Sequence, residues 1–461
     1  MELIVFALLA AVVASLLYFI IGLIPGTDET ASIAPIILLL VLANIPPEVI
    51  LCFFMAAIAA METSNSVPSA IAIIPGSTMT VPFLDACEVG RRYGIPHILL
   101  RKMLAASVVG VVIALPIALV FGSILQPFGN VIRSYAPWAF LLGALLIALF
   151  SKARWAAVLA VLPFATFIGA TQELSSKLVG HSMFISFFMG IALGPMIIDI
   201  FVLLSPPVSR SLRSNSASSV NIVREGTELQ SMNPMRVLGR RQLGLTSVAA
   251  AITSFFFVLS PVGMTVLVGG LAEKIRGSAL KRLLDKIVAM DAVNNSTYIA
   301  ETLIPLIAVG LPLSPMALGP AAPLFNAPPR FTIEPVNNIH TLLSTNAIAM
   351  FSVLGALVGI SISYFLAFRR ARTWCTWTLR FISMETLISA FVGLAIVLAY
   401  NEAGVVGILA TFAMALLAGF MNRFLRVELG VLYMSFYASA AVTGKIIPAV
   451  GDFLRGIGVA P

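Results

Sequence analysis

Residues 291–315, DAVNNSTYIAETLIPLIAVGLPLSP, place Asp291, Asn294, Asn295, Ser296, Thr297, Glu301 and Thr302 within twelve positions of an otherwise apolar run. The same run then meets Pro305, Gly310 and Pro312. At bilayer depth a helix carries such a load only where it faces protein or a water-filled cavity, because a polar group facing hydrocarbon costs several kcal/mol. Pro312 has no backbone N–H to continue the ladder, so it breaks the helix. A polar helix that breaks in mid-membrane points to a transporter binding site.

The rest of the chain supplies the membrane context. Apolar residues make up 59% of it and charged residues 10%, and the mean hydropathy is +1.03. Those values exclude an ordinary soluble domain and predict an all-α polytopic membrane protein. Cys52, Cys87 and Cys375 are isolated in or beside apolar segments, which leaves no disulfide framework. With His97, His181 and His340 they form no cluster at metal-ligand spacing, so neither a metal nor a cofactor is expected beyond a coupling proton or sodium ion. The first 24 residues carry only Glu2 and lack a basic n-region, so they read as a retained membrane segment.

A second broken pattern precedes the first. The apolar run to Ile24 ends at Pro25-Gly26 and resumes after Thr27, Asp28, Glu29 and Thr30, which reads as a hairpin with a polar tip. Val49 to Ala60 leads through Glu62, Thr63, Ser64, Asn65 and Ser66 to another break at Pro75-Gly76. Leu243 to Val258 and a break at Pro261-Val262-Gly263 lead similarly into the opening stretch. Pro25 and Pro75 are 50 residues apart and Pro261 and Pro312 are 51, which predicts two membrane repeats, 1–204 and 243–461, joined by a linker at 205–242.

Charge predicts how these segments are oriented. The linker holds Arg210, Arg213, Arg224, Arg236, Arg240 and Arg241, and with the other basic turns it accounts for 23 of the 28 lysines and arginines. Placing these in the cytoplasm puts both termini outside in a plasma membrane and leaves five crossings after each hairpin. An odd number of crossings turns the second half over, so the halves are expected to be inverted-topology repeats.

At these residues the sequence resembles the large membrane subunit of the tripartite tricarboxylate transporter family. LIPGTDETASIAPIILLLV (23–41) and SAIAIIPGSTMTVPFLDACEVGRRYG (69–94) are similar to its two first-half Pro-Gly segments. LSPVGMTVLVGGLAEKI (259–275) and DAVNNSTYIAETLIPLIAVGLP (291–312) resemble the second-half segments, most closely in the Asn-Asn pair and Leu-Ile-Pro-Leu. The resemblance implies secondary transport of carboxylates coupled to protons or sodium, with a small membrane subunit and an external binding protein as partners. The shorter motif IIPGSTM also resembles polyprenyl-phosphate translocases, which keeps a lipid-linked phosphate as the competing substrate.

Candidate site residues follow from the breaks. A helix restarting after a Pro-Gly turn presents unpaired N–H groups to an anion, and Ser77, Thr78 and Thr80 add hydroxyls there, with Ser314 in the corresponding place. Asn294, Asn295 and Ser296 are expected to bind substrate from the helix leading into the second break, although the two asparagines could instead act as interhelical glue. Glu62 and Glu301 are expected to load the coupling ion, since an intramembrane carboxylate is costly without a task. Asp28 and Glu29 divide between that role and a solvated loop. The Asn-x-Ser/Thr pattern at Asn294 and Asn295 is rejected as a glycosylation site by its depth. Asp199 reads as an interfacial residue, and Gly355 with Gly359 as close helix packing. No convergent acid, base and nucleophile set appears, so an enzyme is not expected.

Overall fold

A computed structural model describes residues 2–150, 153–181, 183–205, 231–259, 261–382 and 384–449. Long helices dominate it. In chain order they are α1 (Glu2–Gly22), α2 (Glu29–Leu42), α3 (Pro47–Ala72), α4 (Leu84–Arg92), α5 (Pro96–Leu125), α6 (Gly129–Phe150), α7 (Trp155–Val179) and α8 (Phe184–Leu204). After the linker come α9 (Pro234–Phe255), α10 (Pro261–Glu273), α11 (Ala279–Ala308), α12 (Thr345–Phe381), α13 (Met384–Phe424) and α14 (Leu429–Ala441). Two-residue strands, Thr332–Ile333 and Val336–Asn337, pair antiparallel. Among the described residues seven helices are long and apolar enough to cross a membrane: α1, α3, α5, α7, α8, α12 and α13. The all-α polytopic reading therefore holds.

Compactness divides the chain into two units, and each takes one segment from each side of the linker. The first joins Met1–Gly129 to Ser218–Leu387, and the second joins Asn130–Ala217 to Ile388–Pro461. The breaks and the polar helices lie in the first.

Within that unit the termination of each polar helix follows from its sequence. Pro68 and Pro305 sit in the last turns of α3 and α11, where a missing N–H and a ring clash weaken the ladder. Four residues before Pro305 the Glu301 carbonyl loses its helical donor, and the Ser314 hydroxyl takes that place. Beyond α11 the chain turns at Gly310 (φ 70°), where a Cβ would lie 2.8 Å from the Cβ of His340, so glycine is required twice over. Helix starts are also encoded. Asn233 accepts from Met235 N–H and Pro234 opens α9, while Ser278 and Ser344 cap α11 and α12. Asn233 and Pro234 start α9 inside the segment read as linker, whose 206–230 portion, with Arg210, Arg213 and Arg224, lies outside the described residues.

Packing in the first unit is reciprocal. α3 lies against α1 and α12, and α11 lies against α9 and α5, so each polar helix is held by a helix from the other side of the linker. Gly355 and Gly359 let α12 approach α3 closely, since a Cβ on Gly359 would come within 2.5 Å of the Ala56 carbonyl oxygen. The expected small-residue packing is present there.

The second unit has its own polar anchor. α13 is broken at Ala403 and Gly404. Glu402, beside that break, accepts from the N–H groups of Ile185 and Ser186 at 2.7 Å each and from the Ser186 hydroxyl at 2.6 Å. A carboxylate here satisfies the first turn of α8 and complements its dipole. No motif around Glu402 marks this partner, which lies 216 positions away.

Candidate functional site

The two breaks of the first half are bonded to each other through backbone. Gly26 N–H donates to the Pro75 carbonyl at 3.1 Å and Thr27 N–H to the Gly76 carbonyl at 3.2 Å, so the hairpin tip is fixed against the second Pro-Gly turn. The second half reaches the same tip. A Cβ on Gly319 would come within 2.6 Å of Thr30 Oγ1, and the turn Thr78–Phe83 packs against α10 and α11.

The hydroxyls expected at the breaks are present and largely committed to local backbone. Ser77 Oγ accepts from Met79 N–H, while Thr80 Oγ1 accepts from Ser77 N–H and donates to the Ser77 carbonyl, which forms a capping box. Thr78 opens that turn; its side chain lies outside the described residues. Ser314 donates to the Glu301 carbonyl and accepts from Ala317 N–H at 3.1 Å. Asp28 Oδ1 accepts from Ala31 N–H at 2.8 Å as the cap of α2, and Glu29, buried beside it, lies near Ser77 and Tyr298. Of the two tip carboxylates, Asp28 is thus the cap and Glu29 the inward-facing group.

Deeper in, α3 and α11 face each other with charged and amide side chains. Asn294 Nδ2 donates to Glu62 Oε2 at 2.8 Å and Asn65 Nδ2 to Glu62 Oε1 at 3.4 Å. One turn of α11 toward the linker, Asp291 accepts from the Ser66 hydroxyl of α3 at 2.6 Å and the Ser107 hydroxyl of α5 at 2.5 Å. Glu62 is 1% exposed and Asp291 fully buried, and among the described residues no ion pair reaches either of them or Glu29. Glu301 stands apart, two turns along α11 from Asn294, where its Oε2 accepts from Met316 N–H at 3.1 Å and fixes the chain after Pro312. Ser296, expected to bind substrate, instead shares a hydrogen bond with Thr253 of α9 at 3.0 Å. Asn295 donates to the Asp291 carbonyl and leaves its own Oδ1 without a donor.

So the fold unites Glu29, Glu62, Asn294 and Ser77 near the meeting of the breaks, and sets Glu301 and Ser314 at the second-half break. Asn65, Ser66, Ser107, Asp291 and Tyr298 belong to the same polar interior although none was singled out as a site residue. Their spacing carried part of the signal, since Glu62 with Asn65 and Asp291 with Asn294 are each three apart on one helix face. Ser107 carried none.

Ile287, Val288 and Met290 belong to one buried apolar cluster with Cys87, Leu99 and Met103. Beneath them Arg241 pairs with buried Asp285 at 2.6 Å, and Lys102 Nζ donates to Gln242 Oε1 at 2.5 Å and to the Val237 carbonyl at 2.8 Å. This clamp ties α5, α9 and α11 together.

Comparison with known proteins adds one finding: the model of the tripartite tricarboxylate transporter TctA family matches residues 8–432. None of the curated proteins and none of the solved structures matches the chain.

Proposed function

Because the chain belongs to the tripartite tricarboxylate transporter TctA family, we propose that it is the membrane permease through which a di- or tricarboxylate moves by alternating access, coupled to a proton or sodium gradient. The observation that carries this reading is the pairing of two polar, proline-terminated helices, α3 and α11, whose carboxylates and amides are buried against each other beside chain breaks. The reciprocal packing of α3 on α12 and α11 on α5 supports two inverted repeats that exchange helices. A small membrane subunit and an external binding protein complete the system in this reading.

The anion sits where the breaks meet and takes over neutral groups from their present backbone or side-chain partners: Ser77, Thr78 and Thr80 on one side, and Asn294, Asn295 and Ser314 on the other, while Ser296 stays with Thr253. No lysine or arginine lies in any of the breaks, which suits a ligand released on every cycle. Each lost hydrogen bond to a charged group costs about 1.5 to 3 kcal/mol, roughly tenfold or more in affinity. Binding of a panel of di- and tricarboxylates and a short-chain polyprenyl phosphate to the purified protein is therefore expected to select a carboxylate, and Asn295→Ala and Ser77→Ala to weaken it at least about tenfold. Selection of the polyprenyl phosphate would transfer the site to a lipid carrier, and unchanged affinity in both variants would place it elsewhere.

Orientation has a separate test. With the linker cytoplasmic and both termini outside, a cysteine at Ser214, outside the described residues, and one at Asn401, next to the α13 break, are expected to react with an impermeant maleimide from opposite sides of the plasma membrane. Labelling of both from one side would remove the inversion.

A further inference from the structure

The surroundings of Glu62 hold more oxygen than the hydrogen-bond network uses. Both carboxylate oxygens are met by amide N–H groups, from Asn294 at 2.8 Å and Asn65 at 3.4 Å. The Oδ1 atoms of both asparagines are buried without a donor, and so is Glu29 Oε1. All four residues are at most 5% exposed. A buried carbonyl oxygen left unpaired costs free energy, and here two flank one carboxylate that, among the described residues, no cationic side chain reaches.

Carboxylate and amide oxygens are the donors that a hard cation takes. An amide has a further property that a hydroxyl or carboxylate lacks. It offers N–H to a bare carboxylate and, after half a turn about its terminal bond, offers oxygen to an ion placed between them. We propose that Glu62, Asn65 and Asn294 form a sodium site in which the two amides turn from donating to the carboxylate to coordinating the ion. A proton on Glu62 would satisfy at most one of the waiting carbonyl oxygens, whereas an ion gathers several. The site spans α3 and α11, so filling it draws together helices that approach from the two sides of the linker. The inference rests on the reading of Glu62 as a coupling residue and names its ion.

Thermal unfolding of the purified full chain, with sodium chloride exchanged for choline or potassium chloride at constant ionic strength, tests it without substrate or flux. A ligand bound only by the folded state raises Tm in step with its occupancy. The wild type is expected to show a saturable rise in Tm with sodium alone. Glu62→Gln is expected to lose that rise, and Asn294→Ala to shift its midpoint at least about tenfold upward. Asn65→Ala serves in the same way if Asn294→Ala does not fold. A wild-type Tm indifferent to sodium, a response to calcium or magnesium in its place, or an unchanged midpoint in these variants would overturn the site. Uptake by a protein with no sodium response would leave the transport reading standing, and a sodium response in a protein that transports nothing would leave only the site.

Discussion

Uptake by a Glu62→Gln protein is expected to fall to the background of empty membranes, while the protein remains folded. Glutamine keeps the volume and one carbonyl oxygen, so one of the two amide bonds to Asn65 and Asn294 persists. The other meets an NH₂ group, at a cost of about 1 kcal/mol that a large helical core absorbs. Only the charge is lost. If that charge loads the driving ion, the gradient can no longer act on the site, and the loss is far larger than any effect on stability. Glu301→Gln differs in an instructive way, because its oxygen can still accept from Met316 N–H and hold the chain after Pro312. That variant is expected to lose dependence on the ion gradient while keeping the shape of the break. Uptake in vesicles with imposed pH or sodium gradients separates the cases. Unchanged gradient dependence in Glu301→Gln would reduce this carboxylate to a structural cap.

The polar helices are legible in the sequence because each is expensive in a membrane: packing alone gives no reason to keep an amide pair and two carboxylates in apolar runs. The breaks are legible for a local reason, since proline ends a helix whatever surrounds it. Partnerships between distant residues leave no such mark. Asp291 lies 225 positions from Ser66 and 184 from Ser107, and serines in an apolar helix ordinarily bond their own backbone, as Ser107 also does to the Met103 carbonyl. The hydroxyls at the breaks show the same limit in reverse. Their positions follow from the prolines, but which carbonyls Thr80 and Ser314 serve depends on where the chain turns after Pro75 and Pro312. Nor could linear order reveal that compactness would gather 1–129 with 218–387.

α11 carries its polar groups on recurring turns, with Asp285 in the linker-side clamp, Asp291 on Ser66 and Ser107, Asn294 on Glu62, and Glu301 at the break. The apolar layer of Ile287 and Val288 separates the first of these from the rest. The Asp291 contacts join α3, α5 and α11. That assigns Asp291 to holding the interior together.

Asp291→Ala is accordingly expected to destabilise the protein by about 1 to 3 kcal/mol, and Asp291→Asn by less. Alanine removes the shared acceptor of two buried hydroxyls from two other helices. Ser107 can fall back on the Met103 carbonyl at 3.3 Å, whereas Ser66 makes no second hydrogen bond among the described residues. Asparagine instead offers an oxygen to one hydroxyl and an N–H to the other, so the three helices stay linked. The decisive comparison is the triple change Asp291→Leu, Ser66→Ala, Ser107→Ala. Replacing a whole buried polar group by apolar side chains avoids the penalty that removing one partner incurs, so the triple variant is expected to unfold at a higher temperature than Asp291→Ala. Thermal unfolding in detergent reads all three. A triple variant no more stable than Asp291→Ala would mean that the stranded hydroxyls are not the source of the loss, and that Asp291 contributes through something other than these two bonds.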